Sequence, residues 1–167
     1  MVRTVLSKLP APVRWLAPPA VLLGCTVLVA AAWSAPADVT PPQPSPAAAG
    51  YCQALDRALP ADVLGHHRED PSPASPYTAA WGSSPRTVLR CGIERPSYLD
   101  DDPLKNSPEV NGVQFGMGPD GNGGYLFVTT LRKAYVEIDV PKGAYPNYID
   151  PLSSLTDAIT ATIPDGL

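Results

Sequence analysis

His66 and His67, followed by Glu69 and Asp70, bring imidazole and carboxylate together within five residues, the donor set a metal or acid–base site needs. Their spacing opposes both chemistries. Adjacent residues point apart, neither His has a helical partner four residues on, and the chain holds no third His, so the cluster reads as a solvated loop. Asp100, Asp101 and Asp102 offer hard oxygens to Ca²⁺, but contiguous acids lack the alternating spacing and terminal Glu of a Ca²⁺ loop. The run Gly116-Met117-Gly118-Pro119-Asp120-Gly121 matches the dinucleotide pattern GxGxxG. That pattern needs a helix after its glycines, whereas residues 125–131 read as a strand, so a hairpin is expected. Asp120, Asn122 and Gly124 resemble the start of an EF-hand loop whose twelfth position is Leu131 instead of Glu. Ser83 and Ser84 come after Gly82 without a GxSxG elbow or an evident His partner. No catalytic residue, metal ligand or cofactor is assigned.

Two cysteines, Cys52 and Cys91, lie in the part of the chain able to fold, and a third, Cys25, lies in an apolar segment before it. Cys52 shares a helical face with Leu55 and Leu59, and Cys91 alternates with Leu89 and Ile93 on an inward strand face, so the two can meet. Their pairing would stabilise the fold by roughly 4 kcal/mol on the chain-entropy model and would leave no thiolate nucleophile. Two free thiols or a Zn pair is the alternative. Tyr77, Trp81 and Arg90, with Arg95 nearby, are the candidate interaction surface, because aromatic and Arg side chains dominate binding hot spots. The competing reading has Tyr77 and Trp81 pinning a loop to the core and Arg90 pairing with an acid on the next strand.

The segments around these residues set their location. Residues 1–14 carry Arg3, Lys8 and Arg14 and no acid, and residues 15–33 are apolar with Trp at each end. As a helix that stretch spans roughly 28 Å, near the hydrocarbon thickness, and the next Lys or Arg is Arg57, so the N-terminus should stay inside and the remainder should cross. Two processing routes compete with an uncleaved anchor. Ala35-Pro36-Ala37 before Asp38 resembles a signal-peptidase site, and Leu22-Leu23-Gly24-Cys25 resembles a lipobox that would lipidate Cys25. All three place the rest of the chain outside, where disulfides form. Beyond residue 14 the chain holds nine basic against sixteen acidic residues, which excludes nucleic acid as a partner of the folded part.

Residues 34–49 hold five prolines and one charge, Asp38, and read as an extended, semi-rigid linker reaching roughly 50 Å. Residues 50–167 read as one extracytoplasmic domain. Its expected elements are a helix over 50–59 and an irregular stretch over 61–85. Strands come next over 87–93, 113–117, 125–131 and 135–140, with a helix from Asp150-Pro151 whose buried stripe is Leu152, Leu155, Ile159 and Ile163. Val136, Ile138 and Val140 should face the core and Tyr135, Glu137 and Asp139 the solvent. The expected fold is α+β: a four-stranded antiparallel sheet with an N-terminal and a C-terminal helix on one face and one disulfide.

The blocks YCQALDRALP, SPASPYTAAWG, TVLRCGI, EVNGVQF and YLFVTTLRKAYVEIDVP, in that order, resemble the bacterial family called domain of unknown function 3515. The resemblance covers about residues 50–164. It implies a membrane-anchored protein or lipoprotein of a Gram-positive envelope, with Cys52 and Cys91 at the family's two cysteine positions, and it brings no catalytic residue. The apolar residues beyond Cys25 depart from the lipoprotein members. The function expected is that of a membrane-tethered, non-catalytic module contacting an envelope protein or cell-wall component. The alternative is an envelope small-molecule binder or hydrolase with a carboxylate site near Glu69, Asp70 or Asp100.

Overall fold

The computed structural model describes residues 38–100 and 107–166. The apolar segment 15–33, Cys25, Asp101 and Asp102 therefore lie outside the described residues. Among the described residues no helix is long and apolar enough to cross a membrane.

Helix α1, Pro46–Ala58, begins where Ser45 caps it, the Oγ accepting from the Ala48 N–H at 3.3 Å. It starts four residues before the expected Gly50, so residues 46–49 of the expected linker are helical. Proline is welcome at the first helical position, where its missing N–H has no partner to lose, and Ala47, Ala48 and Ala49 are strong helix formers. The stretch expected to be irregular contains a small hairpin, β1 (Asp62–Val63) with β2 (His66–His67), and a further strand, β3 (Thr78–Trp81). Then come β4 (Thr87–Cys91), a 3₁₀ helix at Ser97–Leu99, β5 (Glu109–Val110), β6 (Val113–Pro119), β7 (Tyr125–Thr129), β8 (Val136–Val140) and α2 (Asp150–Thr162).

The main sheet has six antiparallel strands in the order β3-β4-β8-β7-β6-β5, correcting the expected four. Both extra strands are edges with weak sequence signals. Strand β5 is two residues long, and Thr78-Ala79-Ala80-Trp81 is buried throughout, so it shows no alternation. Residues 67–69 run beside β3 and bond to it, Glu69 donating to the Ala80 carbonyl and Gly82 to the His67 carbonyl, which covers that edge.

The register sorts side chains onto two faces. Ala79, Leu89, Ile138, Phe127 and Met117 stand opposite one another across five strands, and Cys91 stands opposite Val136. With Leu55 of α1 and Leu152, Leu155 and Ile159 of α2 they build the hydrophobic core. The Cys52–Cys91 disulfide, Cα atoms 5.5 Å apart, ties α1 to β4 within it. The other face carries Thr78, Arg90, Glu137, Val128 and Gly116 in one row and Ala80, Val88, Asp139, Leu126 and Gly118 in the next.

Candidate functional site: a polar groove on the second face

Two glycines two residues apart on β6 allow close cover of the second face at one end. A Cβ at Gly118 would lie 2.9 Å from the Tyr98 ring, and one at Gly116 would collide with Leu99, so the 3₁₀ helix seats directly on the strand. Gly116-Met117-Gly118 is thus a docking strip within a hairpin, as its position before a strand implied. Asp120 closes the turn, its Oδ1 accepting from the N–H groups of Asn122 at 2.7 Å and Gly124 at 2.8 Å. That use of Asp120 accounts for the EF-hand likeness without a metal.

Elsewhere on this face Val88, Arg90 and Asp139 floor an open groove of about 610 Å³. Asp38, Val39 and Thr40 line it together with the loop Ser83-Ser84-Pro85-Arg86. The Arg86 guanidinium grips Asp38 with two parallel bonds of 2.7 Å. Those bonds hold the Asp38 carboxyl below its ordinary range. The Asp38 N–H also donates to the Ser72 carbonyl at 2.7 Å, so the chain entering the domain is pinned at its first described residue.

On the floor, Arg90 donates through Nε and Nη2 to Oε1 of Glu137, its cross-strand neighbour. Glu137 is 5 % exposed, so the solvent position expected for it is instead an ion pair under cover. Asp139 is different. Its Oδ1 is buried without a hydrogen-bond partner. Burial, then the like charges of Asp120 and Glu137, push its carboxyl above the ordinary range against the opposing pull of Arg90. The Tyr98 hydroxyl is likewise buried without a partner, and burial raises it strongly.

The proposed surface of Tyr77, Trp81 and Arg90 does not exist as one patch. Trp81 is 0 % exposed and donates its indole N–H to the Pro60 carbonyl at 3.0 Å. Tyr77 is half-buried near the disulfide on the helix side, its hydroxyl accepting from Gln53 at 3.4 Å. Arg90 stands on the opposite face. The pinning role for Tyr77 and Trp81 and the cross-strand acid for Arg90 describe these residues.

The carboxylates singled out for an alternative site are dispersed. Asp70 accepts from Arg68 at 2.6 Å, Asp100 from Arg95 at 3.2 Å, and Glu69 sits beside the β3 edge. His67 is exposed at 3.4 Å from Asp62, while His66 packs its ring edge against Tyr145 at 4.9 Å. Among the described residues no group of three or more His, Cys, Asp or Glu could hold a metal ion. The groove residues Arg86, Asp139 and Asp38 carried no motif. The available signal was a charged residue on the expected wet face of β8 beside one that pairs across to Arg90.

Fold and site together define a disulfide-bonded α+β domain with a polar cleft on the sheet face away from its helices. The family model described as protein of unknown function (DUF3515) matches residues 16–166, and the chain belongs to that family. No curated protein and no solved structure matches the chain.

Proposed function

We propose that this protein is a non-catalytic binding module held on the outer side of a cell membrane, and that it takes a cell-wall component in the groove over Val88, Arg90 and Asp139. The observation carrying this reading is the groove itself, a 610 Å³ polar hollow whose arginines are fixed by carboxylates and whose walls present hydroxyls. Fixed donors and acceptors bind a polar ligand without first having to be ordered. The apolar segment 15–33 with its basic flank supports the membrane tether, and the Cys52–Cys91 disulfide supports an oxidising location. A hydrolase ranks lower because Asp70 is engaged by Arg68 and Asp100 by Arg95, and none of Glu69, Asp70, Asp100, His66 and His67 lines the groove.

The test is co-sedimentation of the full-length chain, in mild detergent, with purified insoluble cell wall. Wild type should pellet with the wall, and Val88→Trp, which fills the groove from a half-buried floor position, should stay in solution with an unchanged melting temperature. Equal pelleting of the two proteins, or no pelleting of wild type, would overturn the assignment.

A further inference from the structure

The charges around the groove do not balance, and the imbalance selects among polar ligands. Asp38 and Arg86 neutralise each other at the rim, as do Arg90 and Glu137 on the floor. Asp139 remains: it lines the groove half-buried and without an ion-pair partner, its Oδ1 shut away from solvent and its other carboxylate oxygen left to the groove. A partly buried carboxylate with no cation beside it gains from a ligand donor at its accessible oxygen, and a charged donor adds more than a neutral one. Of the four charged residues lining the groove, Arg86 is held by Asp38 and Arg90 by Glu137, which leaves Asp139 as the lining charge without a counter-ion and favours an incoming cation over an anion. The walls add a second requirement. Thr40, Ser83 and Ser84 exchange hydrogen bonds with hydroxyl groups in either direction, and Val39, Pro85 and Val88 supply small apolar contacts rather than a broad aromatic platform.

We propose that the groove selects a hydroxylated ligand bearing a primary ammonium, an amino-sugar-like group, with Asp139 accepting from the ammonium and the hydroxyls of Ser83, Ser84 and Thr40 meeting the ligand's own. This rests on the reading of the groove as the binding site and adds the chemical class. Three probes that differ mainly in charge separate the two ideas: glucosamine, glucose and glucuronate. Each is titrated near neutral pH into the isotope-labelled full-length chain in detergent micelles, and the amide shifts of Ser83, Ser84, Arg90 and Asp139 are monitored.

Glucosamine should shift these amides with an affinity roughly tenfold or more above glucuronate, with glucose between them. Asp139→Asn, checked for fold by its own spectrum, should bring glucosamine down to the level of glucose. Shifts at these residues with equal affinities, or with glucuronate preferred, would overturn the ammonium selection while leaving the groove as a binding site. The absence of shifts at these residues with all three probes would overturn both.

Discussion

The two faces of the sheet are built from the same strands yet solve opposite problems. On the helix side, Leu89, Ile138 and Phe127 meet Leu55, Leu152, Leu155 and Ile159 in a closed apolar layer, and a disulfide runs through it. On the other side a 3₁₀ helix seals the part over Gly116 and Gly118, and next to it lies the open groove floored by Val88, Arg90 and Asp139. Apolar packing and the disulfide are thus concentrated on one face, while the second keeps an accessible floor with an unpaired carboxylate, Asp139. A ligand should therefore act on the face that the helices leave uncovered.

If that division is right, damage to the helix face should be the most costly. Leu155 is fully buried between α2 and the sheet, so Leu155→Ala should destabilise by about 2–5 kcal/mol in denaturant unfolding. Removing the disulfide by Cys52→Ser with Cys91→Ser frees the unfolded chain across the 39-residue separation and should cost about 2–4 kcal/mol. Mass maps of the native protein with and without reductant check the bond directly, and two alkylatable thiols would refute both the bond and the oxidising location argued from it.

The second face should respond less, with one exception that sharpens the contrast. Arg90→Ala strands the nearly buried Glu137 carboxylate and should cost about 1–3 kcal/mol, an effect that Glu137→Gln in the same background should partly reverse.

The smallest effects are two pH dependences of opposite sign. Asp139, faced by Asp120, Glu137 and Arg90, has its folded pKa raised above the ordinary 3.8, chiefly by burial. Its contribution to stability is complete below that value and is lost as pH rises through the folded pKa. Asp139→Asn should therefore melt higher than wild type at neutral pH and converge with it in acid. Asp38 is lowered by the Arg86 hydrogen bonds, so its contribution is present above 3.8 and is lost as pH falls through the depressed pKa. Asp38→Asn should melt lower at neutral pH and converge in strong acid. Thermal melts of both variants across pH measure the two signs together.

The same contrast explains how far the sequence announced this arrangement. The apolar face was legible because periodicity encodes it: the Leu152, Leu155, Ile159, Ile163 stripe and the alternation of β4, β6 and β8 lead to buried positions, except that Met117 is half-buried and β4 ends at Cys91, leaving Ile93 half-buried beyond it. The meeting of Cys52 and Cys91 came from those two periods. Strand β3 was not legible, since Ala79 and Ala80 are small and buried on both sides and give no alternating signal. Strand β5 was not expected either: it is two residues long, although the Asn111-Gly112 turn that joins it to β6, with φ of 49° and 78°, is a pair suited to a hairpin. The groove was the hardest to read. Asp38 and Arg86 lie 48 residues apart in the chain, and Arg90 and Glu137 lie 47 apart, so pairs on this scale depend on strand order rather than local pattern. Trp81 had two readings, surface hot spot or pin into the core, and the second describes it: it is fully buried and bonds to the Pro60 carbonyl.

The most direct test of the division between faces is amide hydrogen exchange on the full-length chain with and without soluble cell-wall fragments. Added protection is expected in residues 38–40, in the loop 83–86 and along the Arg90 and Asp139 segments, with α1 and α2 unchanged. Protection gained on the helices, or none gained around the groove, would contradict that division.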